Sequence, residues 1–146
     1  MTHALMPHTL PLRVYYEDTD AGGVVYYANY LRFTERGRTE FIRVVLAGLW
    51  GEPDGPLWTA DGPLFVVRHL EADYKAPARL DDSLTVTTTL THIGGASLGM
   101  AQDIKRGEET LVATKVTLVC VTQDGKVLRL PPEWRQKLDA LLAASV

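Results

Sequence analysis

Apolar positions in this chain change their spacing twice. Leu12 to Tyr16 is a short β-prone stretch, and a polar turn from Glu17 to Gly23 interrupts it. From about Tyr27 to Ala47 the spacing becomes helical. Tyr30, Phe33, Thr34, Gly37, Phe41, Val44 and Val45 share one broad face, which Arg32, Glu35, Arg36, Glu40 and Arg43 mostly avoid. After Pro63 the period returns to two. Leu64 to Tyr74, Ser83 to His92, Ser97 to Lys105 and Leu111 to Thr122 read as strands, with turn signals at Lys75-Ala76-Pro77, Gly94-Gly95, Gly107 and Asp124-Gly125. Pro131-Pro132 then opens a short helix that runs to Leu142.

Strands joined by tight turns pair antiparallel, and one long helix with an apolar face covers one side of such a sheet. The pattern therefore predicts an α+β domain. Gly37 sits on the apolar helix face at a cost of about 1 kcal/mol relative to alanine, so another backbone is expected to approach there. Gly48 to Pro63 carries four glycines and three prolines around Trp50 and Trp58. It reads as a loop, with a cover, a lid and a subunit contact as open alternatives.

At 146 residues the chain suits one domain over residues 11–146 behind a tail at 1–10 that includes His3 and His8. A net charge of -3 argues against nucleic acid as a partner. Cys120, the lone cysteine, lies in an apolar run and reads as a buried thiol. No His, Cys or carboxylate spacing suggests a metal site. Met1 to Leu12 lacks the pattern of a signal peptide, and no segment approaches the ~20 apolar residues of a membrane span. A cytoplasmic protein without membrane insertion is expected.

Candidate chemistry concentrates in VYYEDTDAGGVVYYANYLRFTERGRTE, Val14 to Glu40. Asp18 and Asp20 precede a helix start, where unpaired N–H groups and the positive end of the helix dipole lie. Acyl transfer uses a carboxylate on one side of a carbonyl and fixed donors on the other. Capping a turn or helix is the commoner task for such aspartates, and both readings stay open. Tyr26, Tyr27 and Tyr30 are candidates for an acyl pocket or for core. Glu35 is a second acid or a partner of Arg32 or Arg38 on a solvated face. Lys75, with Arg68 and Arg79, either meets phosphates or is solvated. Asp-x-Asp-x-Gly-Gly lacks the later ligands of a calcium loop. With no serine elbow, phosphate loop or Cys/His pair, any hydrolysis falls to a carboxylate acting on water or on the acyl carbon.

The segment EDTDAGGVVYYANYLRFTERGRTE strongly resembles the signature of hotdog-fold acyl-CoA thioesterases, and ADYKAPARLDD (Ala72 to Asp82) resembles that family's second block. The Tol-Pal-associated, YbgC-like branch looks nearest, with 4-hydroxybenzoyl-CoA thioesterases as cousins. The resemblance implies a long helix wrapped by an antiparallel sheet of about five strands. It also implies a homodimer joined sheet edge to edge, often paired into homotetramers, with sites at the subunit interface. By resemblance Asp20 is the catalytic carboxylate, as general base or nucleophile, and the Tyr27 backbone N–H binds the thioester oxygen. The YbgC-like branch commonly carries His where Tyr27 stands, and the 4-hydroxybenzoyl-CoA branch carries Tyr. The implied substrate is an acyl-CoA, Tyr26, Tyr30, Glu35 and Lys75 are the candidate contacts, and no cofactor is called for. A non-catalytic acyl-CoA or acyl-carrier binding module is the alternative. A hotdog dehydratase, which normally wants a His at the helix start, fits Tyr27 poorly.

Overall fold

A computed structural model describes residues 8–45 and 62–144. Its strands are β1 (His8–Arg13), β2 (Leu64–Tyr74), β3 (Ser83–Ile93), β4 (Ser97–Arg106) and β5 (Glu109–Val121). Its helices are α1 (Asn29–Val45) and α2 (Pro132–Ala144), with a single 3-10 turn at Tyr16–Asp18. The strands form one sheet in the order β1-β3-β4-β5-β2, with every neighbouring pair antiparallel. Helix α1 lies across β1, β3 and β4, giving the α+β arrangement that the periodicities predict.

Side chains alternate strictly on the central strands. Leu84, Val86, Thr88 and Leu90 of β3 and Leu98, Met100, Gln102 and Ile104 of β4 point at the helix and are buried. Two apolar clusters result. One gathers Val14, Val25, Tyr30, Phe33, Ala78, Val86, Ile104 and Val112 beneath the start of α1. The other gathers Phe41, Ile42, Leu90, Met100, Val116, Leu118 and Leu130 under its far end, where α2 adds Trp134 and Leu138.

A buried polar row separates them. Thr88 pairs with Gln102 across β3 and β4, and Gln102 pairs with Thr114 across β4 and β5. Gln102 Nε2 donates to the Thr34 carbonyl at 2.8 Å and to Thr88 Oγ1 at 2.9 Å, while its Oε1 accepts from the Arg38 guanidinium at 3.1 Å. Thr114 Oγ1 donates to the Gln102 carbonyl at 3.0 Å. Burial pulls the Arg38 pKa down, and the nearby Glu35 charge partly opposes that.

Several expectations need correction. β1 begins at His8, earlier than Leu12, so His8 belongs to the sheet and Tyr16 to the turn after it. Val44 is exposed, because the buried face of α1 drifts to Arg38 and Ile42. Arg38 is therefore an inner residue and not part of a solvated face. Gly37 does meet a close approach, but from side chains. A Cβ there would lie 2.7 Å from Val86 Cγ1 and 3.1 Å from Gln102 Nε2. Cys120 is buried as expected, and burial raises its thiol pKa to about 11. The expected loop around Trp50 and Trp58, and most of the tail with His3, lie outside the described residues. No helix among the described residues is long and apolar enough to cross a membrane.

Candidate active site

The segment between β1 and α1 is a small hairpin with its own hydrogen-bond ladder. Tyr26 N–H donates to the Asp18 carbonyl at 3.0 Å, Asp20 N–H donates to the Val24 carbonyl at 2.9 Å, and Thr19 bridges Val25. Gly23 supplies the left-handed backbone at its tip, with φ +81°. The second arm is bound to the rest of the fold as well. Val25 N–H donates to the Ala78 carbonyl at 2.8 Å, and Val24 bridges Arg79. Asp20 is thereby folded back beside the approach to α1.

The two aspartates have separated into different tasks. Asp18 is buried, and its carboxylate accepts from Tyr15 N–H at 2.8 Å and from Asn29 Nδ2 at 2.6 Å. Asp20 is exposed, and its Oδ1 accepts from Gly22 N–H at 2.8 Å in an Asx turn. That bond orients the Asp20 carboxylate and leaves Oδ2 open to solvent or substrate. The N–H of Tyr27, two residues ahead of the first residue of α1, has no backbone carbonyl partner among the described residues. An oriented carboxylate and an amide donor are the kinds of group that acyl transfer uses.

Aromatic rings surround this point. Tyr26 and Tyr27, 50% and 62% exposed, lie with centroids 5.1 Å apart and planes tilted by 56°. Tyr74, at the end of β2, touches Tyr27 edge-on at 6.0 Å and Tyr30 at 5.8 Å. Tyr30 differs from the other three. It is buried, and its hydroxyl accepts the Ala78 N–H at 3.0 Å. Burial holds its phenol pKa above the ordinary value, and its bond to Ala78 ties α1 to the loop after β2.

The other sequence candidates do not join this group. Glu35 bonds Thr39 one turn along its own helix and faces solvent. Lys75 pairs with Asp73 at 3.4 Å, both well exposed. Arg68 and Arg79 are exposed, and the Arg79 backbone N–H is held by Asp82 at 2.8 Å. No cluster of three or more His, Cys, Asp or Glu side chains among the described residues is arranged to hold a metal ion.

Sequence reasoning missed Tyr74 and Asn29. Tyr74 carries no local sign, since only sheet register brings the end of β2 beside the start of α1. Asn29 carried one: an Asn at the first turn of a helix is a capping signal.

Comparisons with known proteins identify the family. The thioesterase superfamily model matches residues 22–113, so both aspartates lie just ahead of the matched span. The chain is 46% identical over 112 residues to the acyl-CoA thioester hydrolase YbgC of Escherichia coli O6:H1, covering 76% of this chain and 79% of that one. It is 42% identical over 113 residues to the acyl-CoA thioesterase YbgC of Haemophilus influenzae, with 77% and 79% covered. The crystal structure of a probable thioesterase from Bartonella henselae superposes with a TM-score of 0.72 at 41% identity, over 86% of this chain and 98% of that one. The chain belongs to the thioesterase superfamily, as a YbgC-like member with the hotdog fold.

Proposed function

We propose that this protein hydrolyses an acyl-CoA thioester to the free acid and CoA, with Asp20 as the catalytic carboxylate and the Tyr27 N–H as oxyanion donor. The observation that carries the reading is the hairpin. It orients Asp20 through Gly22 beside the approach to α1, where the Tyr27 N–H has no backbone carbonyl partner among the described residues. Similarity to two acyl-CoA thioesterases supports the substrate class.

As the acyl carbon becomes tetrahedral, its oxygen gains charge and accepts from the Tyr27 amide. That contact is stronger in the transition state than in the substrate, so it raises kcat. Asp20 either takes a proton from the attacking water or attacks the carbon itself. In both routes the C–S bond breaks, the sulfur leaves as CoA thiolate and is protonated, and water supplies the oxygen and protons of the products. In this reading Tyr26, Tyr27 and Tyr74 flank the acyl group. The role assigned to Tyr27 rests on its backbone amide and not on its phenol.

Homodimerisation fits the same reading. β2 is an 11-residue strand at the sheet edge, with Val66 and Val67 half-exposed, and a long apolar edge is a template for pairing.

Thiol release from short, long and aromatic acyl-CoAs, with Asp20→Asn run alongside wild type, tests the proposal. The expected loss in the variant is ~10²–10⁴-fold in kcat, the range for general base catalysis. Binding of acyl-CoA without turnover by wild type would replace hydrolysis with a binding role. Full activity in Asp20→Asn would remove the assigned carboxylate.

A further inference from the structure

We infer that Asp18 and Asn29 form a positioning pair that sets the carboxylate and the oxyanion donor relative to each other. The inference rests on the roles proposed for Asp20 and Tyr27 and concerns residues that take no direct part in the reaction.

The geometry is a closed ring of three hydrogen bonds. Tyr26 N–H donates to the Asp18 carbonyl at 3.0 Å, Asn29 N–H donates to the Tyr26 carbonyl at 2.8 Å, and Asn29 Nδ2 donates to Asp18 Oδ1 at 2.6 Å. The ring straddles Tyr27 and Ala28, so it governs the direction of the Tyr27 amide. Asp18 also holds the other side. Its Oδ2 accepts from Tyr15 N–H, and its own N–H donates to the Tyr15 carbonyl at 3.0 Å. Asp20 follows two residues later on the same arm. The base and the amide donor are thus built on opposite sides of one buried carboxylate.

Chemistry explains the choice of residues. A buried carboxylate is tolerated only where donors meet its oxygens, and here a backbone N–H and a side-chain amide each take one. Its charge lies at the start of α1, where the helix dipole favours it. A neutral amide at position 18 would turn one donor towards another. A carboxylate at position 29 would set two acids at hydrogen-bond distance. Exchanging the two residues restores complementarity with the side-chain bond reversed. An asparagine then accepts from Tyr15 and donates to the carboxylate across the ring.

That exchange is the test. The variants are Asp18→Asn, Asn29→Asp, Asn29→Ala and the double exchange Asp18→Asn with Asn29→Asp, all in the full chain. Measured on each are kcat and KM for acyl-CoA hydrolysis, the melting temperature, and amide hydrogen exchange at Asp20 and Tyr26. Each single variant is expected to lose about 10²-fold in kcat, the cost of a misplaced reacting group. KM should stay within about threefold, because binding of the ground state is not what the pair controls. Exchange at both amides should speed up in the single variants, and the double exchange should recover most of kcat and of the protection. Asn29→Ala carries no added charge, so it supplies a folded single variant if Asn29→Asp does not fold.

Single variants with wild-type kcat, or a double exchange no better than its parts, would overturn the inference. If wild type hydrolyses no acyl-CoA, the proposed function fails on its own. The exchange rates then still decide the pair: unchanged protection at Asp20 and Tyr26 in the single variants would reject it.

Discussion

Both ends of α1 rest on apolar clusters, but its start adds a set of directional bonds to that burial. At its start, side chains and backbone are joined by directional bonds: Asp18 to Asn29, Tyr30 to Ala78, and Val25 to Ala78. At its far end Phe41 and Ile42 sink into an apolar cluster sealed by Trp134 and Leu138 of α2. Apolar burial is non-directional and tolerates small shifts, whereas hydrogen bonds fix distances and angles. Only the start of the helix carries candidate chemistry, and it is the end with added bonds that position atoms. Between them Thr34, Arg38 and Gln102 lock the helix in register over the sheet.

That contrast is sharpest when broken at the far end. Trp134→Ala removes a large buried side chain and should cost about 3–5 kcal/mol. Chemical denaturation will measure it. Below the transition, kcat should stay near wild type, and a large fall would mean that the two ends are coupled.

In the middle row, Gln102→Leu leaves the Arg38 guanidinium and Thr88 without their buried partner. A loss of about 3 kcal/mol is expected, since a charged group left unpaired stands at the upper end of such costs. Adding Arg38→Met should recover much of it, because replacing both partners removes the unpaired charge. A double-mutant cycle in denaturant reads the coupling directly.

Tyr30→Phe tests the site end. It leaves the buried Ala78 N–H without its acceptor, for about 1–3 kcal/mol of stability. Unlike Trp134→Ala, it should also lower kcat, by about tenfold, since the loop holding Val25 loosens. Stability and steady-state rates on the same samples separate the two effects.

The smallest expected effect lies at Asp82. The Arg79 N–H, and then the Arg106 guanidinium at 2.8 Å, hold its carboxyl below the ordinary carboxylate range. A lowered folded pKa adds stability that is fully present above the unfolded value of about 4 and fades as pH falls through the folded one. Asp82→Asn should therefore lower stability slightly at neutral pH and progressively less as pH falls, which flattens the acid limb of stability against pH. Urea midpoints across the acid range will show it.

Much of this was legible in the residues. Alternation along Ser83–Ile93 and Ser97–Arg106, helical spacing through Tyr30, Phe33 and Phe41, and turn chemistry at Gly107 and Gly125 placed the elements to within a few residues. These signals are local, because each depends on neighbours in the chain. β1 began earlier than its apolar run suggested, because pairing with β3 draws in His8 and Thr9 irrespective of their polarity.

Spacing and residue type did not separate Asp18 from Asp20, and only the family resemblance pointed to Asp20. Both are aspartates ahead of a helix, and in the fold burial of one and exposure of the other tell them apart. Arg38 likewise reads as a surface charge until the row through Thr88, Gln102 and Thr114 gives its guanidinium a buried acceptor.

Composition, period and the Val14–Glu40 motif settled the class of fold and pointed to the segment proposed for the chemistry. Which carboxylate braces and which faces outward, and which tyrosine packs and which lies open, followed from contacts between residues far apart in the chain. Local sequence sets backbone preference and amphipathic pattern. A side chain's burial and partners come from what other elements bring against it.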